Sequence, residues 1–365
     1  MQNDRYVSNH HRCQVAICAI LGLLISQQVL AADYTITDLG HLGGYGSFAY
    51  GVNDFGQVVG TSAASFGVTR PFLYSDSTIT SLGTLGGDRG VASRINNAGD
   101  IVGYSSTADK YDHAFIYSNG TLTDLGTISG NNSYATDINN SGVVVGGTET
   151  ADGFRAFVYS GSTMTALGTL GGIHSEAWGI NEIGQVVGYS TIASGQQRAF
   201  LYYDGSLNDL GTLGGDHSVA TAINNAGQVV GYSSTVSGYY HAFLWQSNTG
   251  MIDLNTLGGN HLQSYAYGIN DAGQIVGYST ADVGNGGYSQ AFLYSAGLMT
   301  GLPGIIDARD INNAGQIVGF NGLTGFLLSP TPVPIPPAIW LFSFGLVGIF
   351  GVARPYKRYR STCKY

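Results

Sequence analysis

An all-β, seven-bladed β-propeller built from four-stranded antiparallel blades is the fold this sequence predicts. Three observations predict it: a unit repeated seven times, a period the size of one propeller blade, and four short strand signals per unit separated by tight-turn signals. The unit is clearest at 209–233, DLGTLGGDHSVATAINNAGQVVGYS. Its landmark Asn recurs at Asn53, Asn96, Asn139, Asn181, Asn224, Asn270 and Asn312, at spacings of 43, 43, 42, 43, 46 and 42. The seven copies fill residues 33–329. A β-solenoid would also repeat, but its coils are not joined by the hairpin turns that punctuate this unit.

In chain order, residues 1–32 read first as a secretory signal peptide. Arg5 and Arg12 precede an almost purely apolar stretch at 13–25, and Ala31 and Ala32 supply the small residues at which a signal peptidase cuts. Cys13, Cys18 and Cys363 all lie in the end segments, so the repeat body has no cysteine. An exported body of this kind is held by its core and its hydrogen-bond ladders, and close to 300 residues suffice to bury such a core.

Within the unit, 219–224, 228–233, 241–246 and 251–254 read as four strands, each rich in β-branched or aromatic residues. Asn224-Asn225-Ala226-Gly227 joins the first two, with an Asn side chain to cap the turn and Gly where φ is positive. Asn119-Gly120 and Asp204-Gly205, between strands three and four, are two-residue turns of the primed type. Phe72, Phe115, Phe157, Phe200, Phe243, Phe292 and Phe326 recur in strand three and are expected to pack blade against blade. The seventh copy stops after a third strand at 325–328, whereas the chain opens with YTITDL at 34–39, an unattached fourth strand. Supplying that strand from the N-terminus closes the ring and removes the exposed sheet edges.

The body carries seven Lys and Arg against 22 Asp and Glu over residues 32–329, a net of −15, which argues against a nucleic-acid partner. Strand alternation places the loops between strands two and three, and those from strand four to the next blade, on one face. The candidate ligand-binding residues lie there. Tyr111, Tyr239, Tyr240 and Tyr288 come from the loops between strands two and three and offer flat apolar faces with polar tips. Arg89, His174, His217 and His261 occupy equivalent positions after the fourth strand, aimed at the mouth of the central channel. Three His from consecutive blades are a candidate site for a divalent metal, while the plainer reading has each His bonding the neighbouring blade. The residues after Asn139 and Asn312 lack the alternating carboxylates of a calcium loop. Arg70, His113, Arg155, Arg198, His241 and Gln290 open strand three in successive copies, a recurrence that points to structural bonds with carbonyls or with Asp124, Asp209 and Asp253. No G-x-S-x-G, H-E-x-x-H or phosphate-loop motif is present, and the body has no cysteine nucleophile.

The triplets His113-Ala114-Phe115 and His241-Ala242-Phe243, with the variants Arg155-Ala156-Phe157 and Arg198-Ala199-Phe200, make the body resemble the HAF-repeat family of bacterial extracellular proteins. That resemblance implies export and repetition, and no activity. The C-terminus is a separate device. A Pro-rich spacer at 330–337 precedes sixteen uncharged residues at 338–353, read as a transmembrane segment, and a basic tail at 354–365 read as cytoplasmic. Val333, Pro334, Ile335 and Pro336, followed by Trp340-Leu341-Phe342, resemble the VPLPA-like variant of the PEP-CTERM sorting signal, with Ile335 where the commoner motif has Glu and Pro337 where the variant has Ala. The resemblance implies an exosortase-type sorting protease as partner, a temporary hold in the membrane, and release to the cell surface or extracellular matrix.

Three functions follow as expectations. The first is a non-catalytic exported protein that needs no cofactor and binds extracellular polysaccharide or surface components through the loop face. The second is a metal- or carbohydrate-dependent lyase or hydrolase using the three His and nearby acids. The third is a purely structural matrix protein.

Overall fold

The computed structural model describes residues 34–258, 262–281 and 288–331, and in it the first six repeats each fold as a four-stranded antiparallel sheet with the strands in chain order, while the seventh supplies three strands of a four-stranded sheet. Seven such sheets make a seven-bladed propeller, with the compact unit at Thr35–Ser329. The expected signal segment at 1–32, the sorting motif at 333–336, the segment at 338–353 and the tail at 354–365 lie outside the described residues. Among the described residues no helix is long and apolar enough to cross a membrane.

The fifth blade shows how sequence becomes strand. Its strands are Gly214–Ile223, Val229–Thr235, Tyr240–Gln246 and Gly250–Asp253. The first begins five residues earlier than the apolar pattern predicts, because Gly214 already pairs with Thr235 before a register shift at Ser218. The turn behaves as its residues require: Gly227 has φ 75° and donates its N–H to the Asn224 carbonyl at 3.0 Å, while Asn224 Oδ1 accepts the N–H groups of Ala226 and Gln228. Asn119 and Gly120, at φ 51° and 82°, and Asp204 and Gly205, at 52° and 79°, form the primed turns.

A one-residue bulge interrupts the first strand of every blade, always at the residue three before the landmark Asn. The bulge carries the carbonyl two residues earlier over the facing strand. A Cβ at Gly231 would lie 2.0 Å from the Val219 carbonyl oxygen, and one at Gly60 would lie 2.0 Å from that of Phe48. Only Gly fits there, so the recurrent Gly of strand two is the partner of the bulge.

The core lies between blades. The seven recurrent Phe side chains are 0–2% exposed. Phe243 of blade 5 packs with Val187, Ala199 and Leu210 of blade 4 as well as with Ala220 and Val229 of its own blade. At the turn face the blades are also stitched by polar groups. Each landmark Asn donates its side-chain N–H to the main-chain carbonyl of the next landmark Asn, and the seventh such bond, from Asn312 Nδ2 to Asn53 O at 2.8 Å, returns to the first blade. A second circle runs through the following residue, from Asp54 by way of Asn140 and Glu182 to Asn313, whose N–H meets Asp54 Oδ1 at 2.9 Å. The seventh sheet takes its outer strand, Tyr34–Asp38, from the other end of the chain and sets it beside Thr324–Pro330. Leu39, 3% exposed, continues that strand into a cluster with Phe72 and Val318.

Candidate functional site: the central channel

The first strand of each blade is the innermost, and its bulge residue faces the axis. These seven residues, Tyr50, Ser93, Thr136, Trp178, Thr221, Tyr267 and Arg309, all line one cavity of about 250 Å³. A bulge is a common means of re-aiming a side chain, and here it is repeated sevenfold. Neighbouring first strands come close at this level: a Cβ at Gly268 would lie 3.0 Å from the Asp310 Cα. Toward the loop face a second cavity of about 450 Å³ shares Ser93, Tyr104 and Thr136 with the first and adds Tyr134, Phe154, His174 and Glu176. Its wall is aromatic: Tyr104 meets Tyr134 edge-on at 5.0 Å, and His174 stacks on Phe154 at 5.2 Å and on Tyr189 at 5.3 Å. Across the ring Tyr265 stacks on Tyr278 at 4.9 Å and on Tyr240 at 6.0 Å.

Charge enters the channel at three places. At the turn end Arg94 lies 4.0 Å from both Asp137 and Asp310 and donates to the Tyr50 carbonyl. Each of those carboxylates also accepts a main-chain N–H of the next blade, Ile180 for Asp137 and Val52 for Asp310. Burial raises both above the usual carboxylate range despite Arg94, Asp137 to about 6. In blade 4 the Tyr189 hydroxyl donates to Glu176 Oε2 at 3.1 Å and lies 2.9 Å from His174 Nε2, a chain of three groups able to pass a proton. Burial pushes Glu176 up, and burial followed by Arg155 pushes His174 down, so both shifts favour the uncharged forms. In blade 7 Arg309 pairs with Asp307.

The residues expected from sequence divide between this channel and the rim. His174 joins the wall of the wider cavity, and Tyr240 joins the aromatic group through Tyr265. His217 turns away from the axis, where its Nδ1 accepts the Gln197 N–H of blade 4 at 3.4 Å. Arg89, His174 and His217 lie on first strands rather than in loops, because those strands start early. Arg89 is 64% exposed and 3.9 Å from Asp112. Tyr111 is 44% exposed at the rim and Tyr239 is half-buried. Tyr288 opens the strand Tyr288–Ser295. His261 lies outside the described residues, and among those described no three His, Cys, Asp or Glu side chains gather into a metal-holding group. The recurrent residues that open strand three divide by type. His113 and His241 bond Asp124 and Asp253 at 2.8 Å, while Arg70, Arg155 and Arg198 donate to carbonyls of Asp88, Ile173 and Asp216 in the next blade. Asp209 instead accepts the Gly211 N–H.

The bulge ring lies outside the residues expected from sequence, although a signal for it exists. The position three before each landmark Asn reads Tyr, Ser, Thr, Trp, Thr, Tyr and Arg in turn, while the residue just before it is Ala in all seven copies.

No protein-family model matches the chain, and no curated protein matches it. Solved structures do. A streptogramin B lyase is similar with a TM-score of 0.55 at 12% identity, over 84% of this chain and 100% of the lyase. A puromycin hydrolase S511A mutant complexed with PGG is similar with a TM-score of 0.51 at 14% identity, over 81% of this chain and 55% of the hydrolase. TolB from Acinetobacter baumannii has a TM-score of 0.47 at 14% identity, over 79% of this chain and 64% of TolB. This chain thus spans about half to two thirds of the length of the hydrolase and of TolB. At such identities the likeness to the lyase and the hydrolase is one of fold.

Proposed function

We propose that this protein is an exported binding protein whose central channel takes a segment of extracellular polysaccharide, and whose repeat body is displayed or released at the cell surface through its C-terminal signal. The observation that carries this reading is the bulge ring. Seven positions on a constant backbone vary in residue type, and all seven face one cavity whose surroundings are aromatic. Tyr and Trp present apolar faces to the C–H face of a sugar and polar edges to its hydroxyls. Side chains that served only packing would repeat with the blade, as the buried Phe does.

Export by the segment at 1–32, with signal peptidase as partner, and sorting by an exosortase-type protease at Val333, Pro334, Ile335 and Pro336 complete the proposal. The segment at 338–353 then holds the chain in the membrane until release. The strand Tyr34–Asp38 acts as the latch of the ring.

Titration of the purified protein with oligosaccharides from the producing cell's own extracellular polysaccharide tests the binding reading. Saturable binding is expected, with affinity lowered about 5- to 150-fold in Trp178→Ala, the range of an aromatic stacking contact worth on the order of 1–3 kcal/mol. Binding that ignores this substitution would move the site out of the channel.

A further inference from the structure

Blade 7 sets a cation and an anion two residues apart on one strand face. Where the other blades place Tyr, Ser, Thr or Trp at the bulge, it places Arg309, and on the far side of the core residue Ala308 it places Asp307. Arg309 Nη2 donates to Asp307 Oδ2 at 2.6 Å. Its guanidinium lies 4.3 Å from the centre of the Tyr267 ring and 5.1 Å from that of Phe320, so the group is held between two aromatic rings and a carboxylate. An ion pair kept only for stability would have its remaining polar atoms satisfied, because buried unpaired groups are costly. Here Arg309 Nε and Asp307 Oδ1 are both buried and neither has a partner in the protein, whereas the Arg89–Asp112 and His241–Asp253 pairs each leave one buried atom unpartnered, on Asp112 and on His241. Arg309 Nε is a donor alone and Asp307 Oδ1, as a carboxylate oxygen, an acceptor alone, and they belong to two adjacent, immobilised groups.

We infer that Asp307 and Arg309 form a subsite for two neighbouring hydroxyls of a neutral sugar ring, with Tyr267 beside them as a platform. The inference rests on the reading of the channel as a glycan site and names the class of glycan. A hydroxyl both donates and accepts, so one can give its proton to Asp307 while its neighbour accepts from Arg309. A carboxylate, sulfate or phosphate offers acceptors alone and meets Asp307 as a like charge. An ammonium group offers donors alone and meets Arg309 as a like charge. The net charge of −15 over residues 32–329 also disfavours the approach of a polyanion. A neutral ring is the ligand that answers both free atoms at once.

The full chain would be titrated with neutral gluco-, manno- and galacto-oligosaccharides and with uronic-acid oligosaccharides of matched length, followed by calorimetry and by tryptophan fluorescence. A neutral series is expected to bind saturably, and Arg309→Lys and Asp307→Asn are each expected to weaken it about tenfold or more. Deoxy analogues probe the same contact without altering the protein: loss of either of two adjacent hydroxyls should weaken binding to the unaltered chain by a similar factor. A uronic-acid series that binds more tightly than its neutral counterpart, and loses that binding in Trp178→Ala, would overturn the neutral-sugar assignment while leaving the channel reading intact. Neutral binding indifferent to both substitutions and to every deoxy position would overturn the subsite alone. Absence of any binding sensitive to Trp178→Ala would overturn both readings.

Discussion

The two ends of the channel use the same repeat for opposite purposes. At the turn end, the landmark Asn and the residue after it are bonded to their counterparts in the next blade, around all seven blades. Three residues before that Asn, the bulge residues make no such circle and face an open cavity. The constant positions join every blade to the next; of the variable ones Thr136 and Thr221 also donate across a boundary, to the Ala177 and Ala266 carbonyls, while the ring as a whole opens on the cavity. Substitutions at the two levels should therefore differ in kind, costing stability at one and binding at the other.

The largest loss of stability is expected in the core shared by both levels. Phe200 is fully buried between blades 3 and 4, against Val145, Ala156 and Leu167, and Phe200→Ala should cost ~3–5 kcal/mol in denaturant unfolding. A cost below ~1 kcal/mol would mean that blade contact does not depend on the Phe layer. Next comes the charged floor between the two levels. Asp137 titrates near its ordinary value of 3.8 when unfolded and near 6 when folded, so between those values the fold keeps a proton that the unfolded chain releases. Its contribution to stability is present below about pH 4, is lost as pH rises through about 6, and amounts to at most about 3 kcal/mol. Unfolding measured at pH 4 and at pH 7 should show a smaller fall across that interval in Asp137→Asn than in the unaltered chain, and an equal fall would place the titration elsewhere.

Much of this fold was legible in the residues. The spacing of the landmark Asn, the Asn-Asn-Ala-Gly turns and the recurrent Phe suffice for seven blades of four strands, because each is a local requirement repeated seven times. The bulge was not legible by the same route. In SYAYGIN, residues 264–270, the letters alternate as a plain strand would, and the single extra residue shows only when Tyr267 is found between the paired residues Ala266 and Gly268. Its complement, the Gly of strand two, was visible but had no reason attached to it. The Asn was read as a turn cap, which uses its oxygen, and its spare amide donor, satisfied across the blade boundary, is a tertiary fact. His174 and His217 looked equivalent by repeat position, yet one stacks between Phe154 and Tyr189 and the other meets the Gln197 N–H, because the neighbouring blades present different residues to each.

The circle of Asn side chains allows a sharper comparison than the core does. Asn181 Nδ2 donates to the Asn224 carbonyl at 3.2 Å and to Gln185 at 2.7 Å, and its Oδ1 accepts the Gln185 N–H at 2.9 Å. With the side chain 3% exposed, Asn181→Ala strands these partners and should cost about 1–3 kcal/mol in unfolding, with ligand affinity unchanged in the folded protein. A loss of affinity at constant stability would join the two levels that the geometry separates.

The smallest effect on stability, and the most telling, is expected one layer away at the bulge. Ser93 is half-buried and lines both cavities, so a larger side chain there enters open space instead of the blade interface. Blades 1 and 6 already carry Tyr50 and Tyr267 at this position on the same bulged backbone. Ser93→Tyr should therefore shift the unfolding free energy by no more than about 0.5 kcal/mol, the range of substitutions that touch no packed or bonded feature. The added ring narrows the cavity beside Tyr104, so glycan affinity or preference should change by more than the stability does. If Ser93→Tyr instead destabilises the fold by as much as Asn181→Ala, the bulge ring is part of the packing. The variety of its residues would then be a matter of fit between blades, not of recognition.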